Sequence, residues 1–116
     1  MAKHPRIDAK VRVGLRPTSE GGRKSAIPPI IYRCPVFFGA QRKEANDCVF
    51  FLNRIEGRLE PGGPSVVVPV AFLALDLVAA KLHPGAKFTL WEGRAIGDAE
   101  VLEVIDRDRG ANASNG

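Results

Sequence analysis

Short stretches of alternating apolar and polar residues, each closed by a Gly- or Pro-rich break, constrain this chain more than any other feature of its sequence. Val11, Val13 and Leu15 alternate with Arg12, Gly14 and Arg16, the period of a strand with one buried face. The polar Gly-Gly segment 18–22 interrupts that pattern. Ile30–Phe38 is rich in branched and aromatic residues and reads as a second strand, with Pro35 marking an edge or a bulge inside it. Val49–Ile55 reads as a third strand, and Pro61-Gly62-Gly63-Pro64 as a strong turn. Val66–Phe72 follows as a fourth strand, again with a proline, Pro69. Lys87–Trp91 and Ala95–Val104 complete the set, separated by Glu92-Gly93-Arg94. Short strands at regular spacing with such turns predict an all-β sandwich or barrel. Leu73–Leu82 does not alternate and consists mostly of good helix formers, so a short helix or helical turn is expected between the fourth and fifth strands.

The 116 residues, 45% of them hydrophobic, suffice for one compact core. The expected division is a flexible N-terminus over 1–9, one β domain over 10–106 and a disordered tail over 107–116. The start is polar, without the apolar stretch of a signal peptide. The longest apolar run, within Val66–Ala80, is broken by Pro69 and Asp76 and is shorter than the roughly 20 residues a membrane helix needs. A cytoplasmic location follows as the default, with Cys34 and Cys48 as reduced thiols. The net charge of +4 permits contact with phosphates or acidic proteins without demanding either.

Little in the sequence points to catalysis. His4, His83, Cys34 and Cys48 are the soft metal ligands; the cysteines are not spaced as a Cys-x-x-Cys pair, so neither a zinc site nor a Cys–His nucleophile is expected. Asp76 and Asp98 read as surface charges. The Asn112-Ala113-Ser114 sequon has no meaning in a cytosolic tail. No cofactor, no metal and no catalytic residue is expected, and the chain reads as a non-enzyme.

Four landmarks then occur in a fixed order. Thr18-Ser19-Glu20-Gly21-Gly22-Arg23 follows the first strand. Tyr32-Arg33 opens the second and leads to Phe37-Phe38. Pro61-Gly62 precedes the fourth. Phe88 leads to Trp91-Glu92-Gly93-Arg94, then Ile96-Gly97 and Val101. This series resembles the C-terminal domain of bacterial elongation factor Tu over about Val11 to Val104. That domain carries a Glu-Gly-Gly-Arg turn, a Tyr-Arg-Pro-Gln-Phe strand, a Pro-Gly-Asp turn and a closing Arg-Glu-Gly-Gly-Arg-Thr-Val-Gly. The resemblance implies a six-stranded antiparallel Greek-key barrel. It also implies no nucleotide chemistry in this stretch, for the sequence has no Gly-x-x-x-x-Gly-Lys-Ser/Thr loop to cradle phosphates. Departures are present: Pro35 stands at the strand's Gln, Gly63 at the Asp of the turn, and Trp91 at the leading Arg of the last motif, which is one glycine shorter.

In that family the barrel packs on a GTPase domain and touches the backbone of the T-stem of aminoacyl-tRNA. The matching RNA-contact positions here are Arg23, Lys24, Glu92 and Gly93, with Arg94 in the same turn. Arg23 and Lys24 would neutralise phosphates and Gly93 would admit a close backbone approach. The alternative is that the Arg23-Lys24 turn is simply solvated. Candidates for a protein interface are Tyr32, Arg33, Phe37 and Trp91; Trp91 is either a binding hot spot or a partly buried cap on the core. Of Phe37/Phe38 and Phe50/Phe51, one member each should face outward. The resulting apolar patch would meet another protein or a second copy, or be covered by Leu73–Leu82. The expected partners are therefore tRNA or another RNA, or a protein partner or homo-oligomer, with neither membrane nor nucleotide.

Overall fold

The computed structural model of the chain describes residues 6–39, 44–55 and 58–105. Six strands close on themselves: β1 (Ala9–Leu15), β2 (Ile31–Phe38), β3 (Asn46–Phe51), β4 (Val66–Phe72), β5 (Lys87–Trp91) and β6 (Ala95–Val104) form an antiparallel barrel in the order β1-β4-β3-β2-β5-β6. β2, β3 and β4 are consecutive neighbours and β5 returns to lie beside β2, which is the Greek-key arrangement. Each strand sends alternate side chains inward. Val11, Val13, Val36, Val68, Val70 and Leu90 are all fully buried, so the period-two pattern does what its spacing demands. The flexible ends expected at 1–9 and 107–116 fall largely outside the described residues; β1 already begins at Ala9.

Two local differences from the sequence expectation have physical causes. The third strand runs Asn46–Phe51 rather than Val49–Ile55. Its polar start pairs with β2, and Leu52 leaves the strand in a 3-10 turn (Leu52–Arg54) that drives its side chain into the core. Pro35 and Pro69 mark neither an edge nor a bulge, because a closed barrel has no edge. Instead each stands where one ladder stops. β2–β5 pairing begins at Val36, immediately after Pro35, and β3–β4 pairing covers Val70–Phe72, immediately after Pro69. A residue without an N–H can sit there at no cost in hydrogen bonds. The short helix expected within 73–82 is present: α1 (Leu75–Val78) continues into a 3-10 turn over Ala79–Lys81.

The registers place all strand ends at two rims. Leu15, Ile31, Phe51, Val66, Trp91 and Ala95 belong to one, the hairpin end; Ala9, Phe38, Asn46, Phe72, Lys87 and Val104 belong to the other, the helix end. At the helix end Val78 of α1 is fully buried against a cluster in which Phe38, Phe72 and Phe88 have ring centroids 5.1–6.0 Å apart. At the hairpin end a two-way bridge, Ile27 to Leu59, lies across the barrel mouth.

Candidate functional site

The hairpin end gathers three connections: residues 16–30, the described residues 52–55 and 58–65, and the β5–β6 turn at 92–94. The first begins with Pro17 and a 3-10 turn over Thr18–Glu20, closed by Gly21 in the left-handed region. Gly22 follows against the backbone, where a Cβ would stand 2.1 Å from the Arg16 carbonyl oxygen. Only glycine fits so close an approach, and this tight packing folds the segment back so that Arg23 faces the β5–β6 turn. The Thr18 hydroxyl donates to the Arg23 carbonyl at 2.5 Å, and Arg23 Nε donates to the Ser25 carbonyl at 3.1 Å.

Arg23 Nη1 then donates to both carboxylate oxygens of Glu92, at 2.8 and 2.7 Å, across 69 residues of sequence. The Tyr32 hydroxyl, at the start of β2, donates to the same carboxylate. The Arg23 guanidinium carbon lies 6.0 Å from the Tyr32 ring centroid, within reach of a cation–π attraction. Both partners of the ion pair are only partly exposed, 23% and 32%. Gly93 makes the turn with φ of 72°, open to solvent with nothing near its Cβ position. Three segments are thus held together by one carboxylate.

Around this cluster the charge is not balanced. Among the described residues at this end, Lys24, Arg54 and Arg94 have no ion-pair partner, whereas Arg58 pairs with Glu60. The acid without a partner there is Glu20. Arg54 lies over the Phe51 ring at 5.7 Å.

All five RNA-contact candidates therefore lie at one rim. Arg23 and Glu92 touch; Lys24, Gly93 and Arg94 are their exposed chain neighbours. The four protein-interface candidates separate. Tyr32 packs against Phe50 and serves the Glu92 cluster. Arg33 is exposed on the outer face and pairs with Asp47 at 3.0 Å. Phe37 and Trp91 meet edge to face, centroids 5.5 Å apart, half-buried on the outside of the β2–β5 seam. Of the phenylalanine pairs, Phe37 and Phe51 face outward, and Phe51 is nonetheless buried. Phe51 is at the hairpin end, away from the segment after β4, whose Leu73 and Leu77 are themselves exposed.

Several features escaped sequence reasoning. Cys34 and Cys48, 14 positions apart, are direct cross-strand neighbours, both buried and unbonded. Burial pushes the Cys34 thiol up to about 12, against an opposing pull from the Trp91 backbone N–H at its sulfur, and burial also raises the Cys48 thiol well above its ordinary value. Both stay protonated at neutral pH and are poor nucleophiles. Asp8 is a buried acid: one oxygen accepts from the Phe72 N–H at 2.8 Å and pairs with Arg6 at 3.0 Å. Ile30 and Ile31 are exposed at the foot of β2. A shallow groove of about 550 Å³ runs over the outside of β1, β6 and β5, floored by Gly14 and flanked by Arg12, Arg16, Lys87, Asp98 and Glu100. The Arg16–Asp98 pair spans it with two bonds of 2.8–2.9 Å, so its charges are largely self-compensated.

No protein-family model and no curated protein matches this chain. Among the described residues, no helix is long and apolar enough to cross a membrane, and no group of three or more His, Cys, Asp or Glu is placed to hold a metal ion.

Proposed function

We propose that this chain is a non-catalytic binding module whose hairpin end contacts the backbone of a structured RNA, in the manner expected from its resemblance to the third domain of elongation factor Tu. The observation that carries the reading is the convergence of the two turns. Arg23-Lys24 and Glu92-Gly93-Arg94 are far apart in the sequence, yet the Arg23–Glu92 pair joins them into one surface. The closed barrel supplies a rigid mount for them. Lys24, Arg54 and Arg94, unpaired among the described residues, leave that surface net positive, as phosphate contact requires. The open, left-handed Gly93 turn lets a sugar–phosphate backbone come close.

Fluorescence anisotropy with labelled tRNA tests this. Binding should weaken steeply with salt, by about 0.7–0.9 log units of affinity per log unit of salt for each phosphate contacted. Lys24→Ala and Arg94→Ala should each weaken binding and flatten that slope. No binding at about 50 mM salt, where two or three such contacts should already register, ends the RNA reading.

A second reading rests on a different face. Phe37 and Trp91 on the outer β2–β5 seam, with Pro35 in the same strand and the exposed Ile31 beyond it, form an aromatic centre suited to a second copy of this chain. Sedimentation velocity decides it: a dimer dispersed by Trp91→Ala supports self-association, and a monomer at every concentration removes it.

A further inference from the structure

We infer that Glu92 is a built-in competitor for the RNA surface: its carboxylate occupies Arg23 in the free protein, and a phosphodiester of the bound RNA takes its place. The inference rests on the RNA reading above and concerns how that same surface is regulated.

The geometry is that of anion recognition already satisfied from within. A guanidinium grips carboxylate and phosphate in the same way, through N–H donors on adjacent oxygens. Arg23 holds both Glu92 oxygens through Nη1 alone. Its Nε is used by the Ser25 carbonyl, which holds the guanidinium in place. The Tyr32 hydroxyl holds the other side of the carboxylate. Glu92 is therefore fixed in front of Arg23 by contacts from two elements other than its own. Lys24 and Arg94, the neighbours of this pair in sequence, have no such internal anion among the described residues. An arriving phosphate would find them open and the Nε and Nη1 of Arg23 already engaged. It would also meet the negative charge of Glu92. Yet the pair is partly solvent-exposed, and exposed pairs are weak enough to be exchanged. Glu92 thus sets a threshold: an isolated anion gains little by displacing it, whereas a backbone already held by Lys24 and Arg94 gains a third cation.

The test is tRNA anisotropy across a salt series with wild type, Glu92→Gln and the double variant Arg23→Ala/Glu92→Gln. Glu92→Gln keeps the side-chain shape and an acceptor for Tyr32 but frees Arg23. It should tighten binding by up to about fivefold, the strength of an exposed ion pair expressed as a change in Kd. The salt slope should match that of wild type, because Arg23 reaches a phosphate in both complexes. The double variant should lose the gain in affinity and flatten the slope by about 0.7–0.9, the increment of one phosphate contact. Glu92→Asp, whose shorter arm withdraws from Arg23, gives the same direction independently should the glutamine variant fold poorly. Unchanged or weaker binding by both Glu92 variants, with wild type binding, overturns the competitor role while leaving the RNA reading intact. So does a double variant that retains the gain. If neither wild type nor the Glu92 variants bind, the RNA reading itself falls, and the competitor with it.

Discussion

At the helix end of the barrel, Phe38, Phe72, Phe88 and Val78 fill the mouth, and the buried Asp8 ties the start of β1 to the Phe72 N–H while its own carbonyl accepts from Ile105. At the hairpin end the mouth is closed by Ile27, Leu52 and Leu59, but over them lies a layer of partly exposed ions: Arg23, Glu92, and Lys24, Arg54 and Arg94, which have no ion-pair partner among the described residues. One end spends its polar groups on holding strands together. The other keeps a polar layer outside a core that is already closed. The difference teaches which residues a barrel of this size can lend to binding: those whose removal leaves the core intact.

If that contrast is right, the largest stability loss should come from the helix end. Phe72→Ala, at a fully buried position, should cost about 3–5 kcal/mol in chemical denaturation. A loss under about 1 kcal/mol would mean that α1 can collapse into the space. Asp8→Ala should follow at about 1–3 kcal/mol, because it strands the Phe72 N–H in the interior. Gly22→Ala probes the backbone fold beneath the hairpin end, where its Cβ would overlap the Arg16 carbonyl; about 1–3 kcal/mol is expected, as for other overpacked sites. The smallest effects should be those of the ionic layer. Arg23→Ala should change stability by less than about 1 kcal/mol, as exposed pairs do, while altering RNA affinity. A large loss of melting temperature in that variant would turn the layer from a binding surface into a structural clamp.

The buried thiols give the comparison a pH dependence. Cys34 stays protonated in the folded chain up to about 12, whereas in the unfolded chain a thiol ionises above roughly 8.5. The folded state therefore holds more protons in the alkaline range, and its stability falls as pH rises from about 8.5 towards 12. Below that window the thiol has no effect. The melting temperature of wild type should accordingly drop more steeply with alkaline pH than that of Cys34→Ala. Equal slopes would mean that the thiol is not shielded in solution.

Much of this molecule is written locally. Alternation at Val11–Val13–Leu15 and over Val66–Phe72 identifies strands because period two has one physical use, the burial of one face. The Gly-Gly at 21–22 and Gly93 identify turns because few other residues tolerate those backbones. The candidate residues of the two turns were legible for the same reason, as turn residues with charge. Their partnership was not. That Arg23 is held by Glu92, that Tyr32 leaves the proposed interface to join them, that Cys34 faces Cys48, and that Asp8 is interior all depend on which strands become neighbours and in what register. Those contacts join residues 14 to 69 positions apart, and no local pattern records them. Closure of the sheet decided them, because closing six strands into a barrel leaves each strand one pair of neighbours and each rim one set of loops.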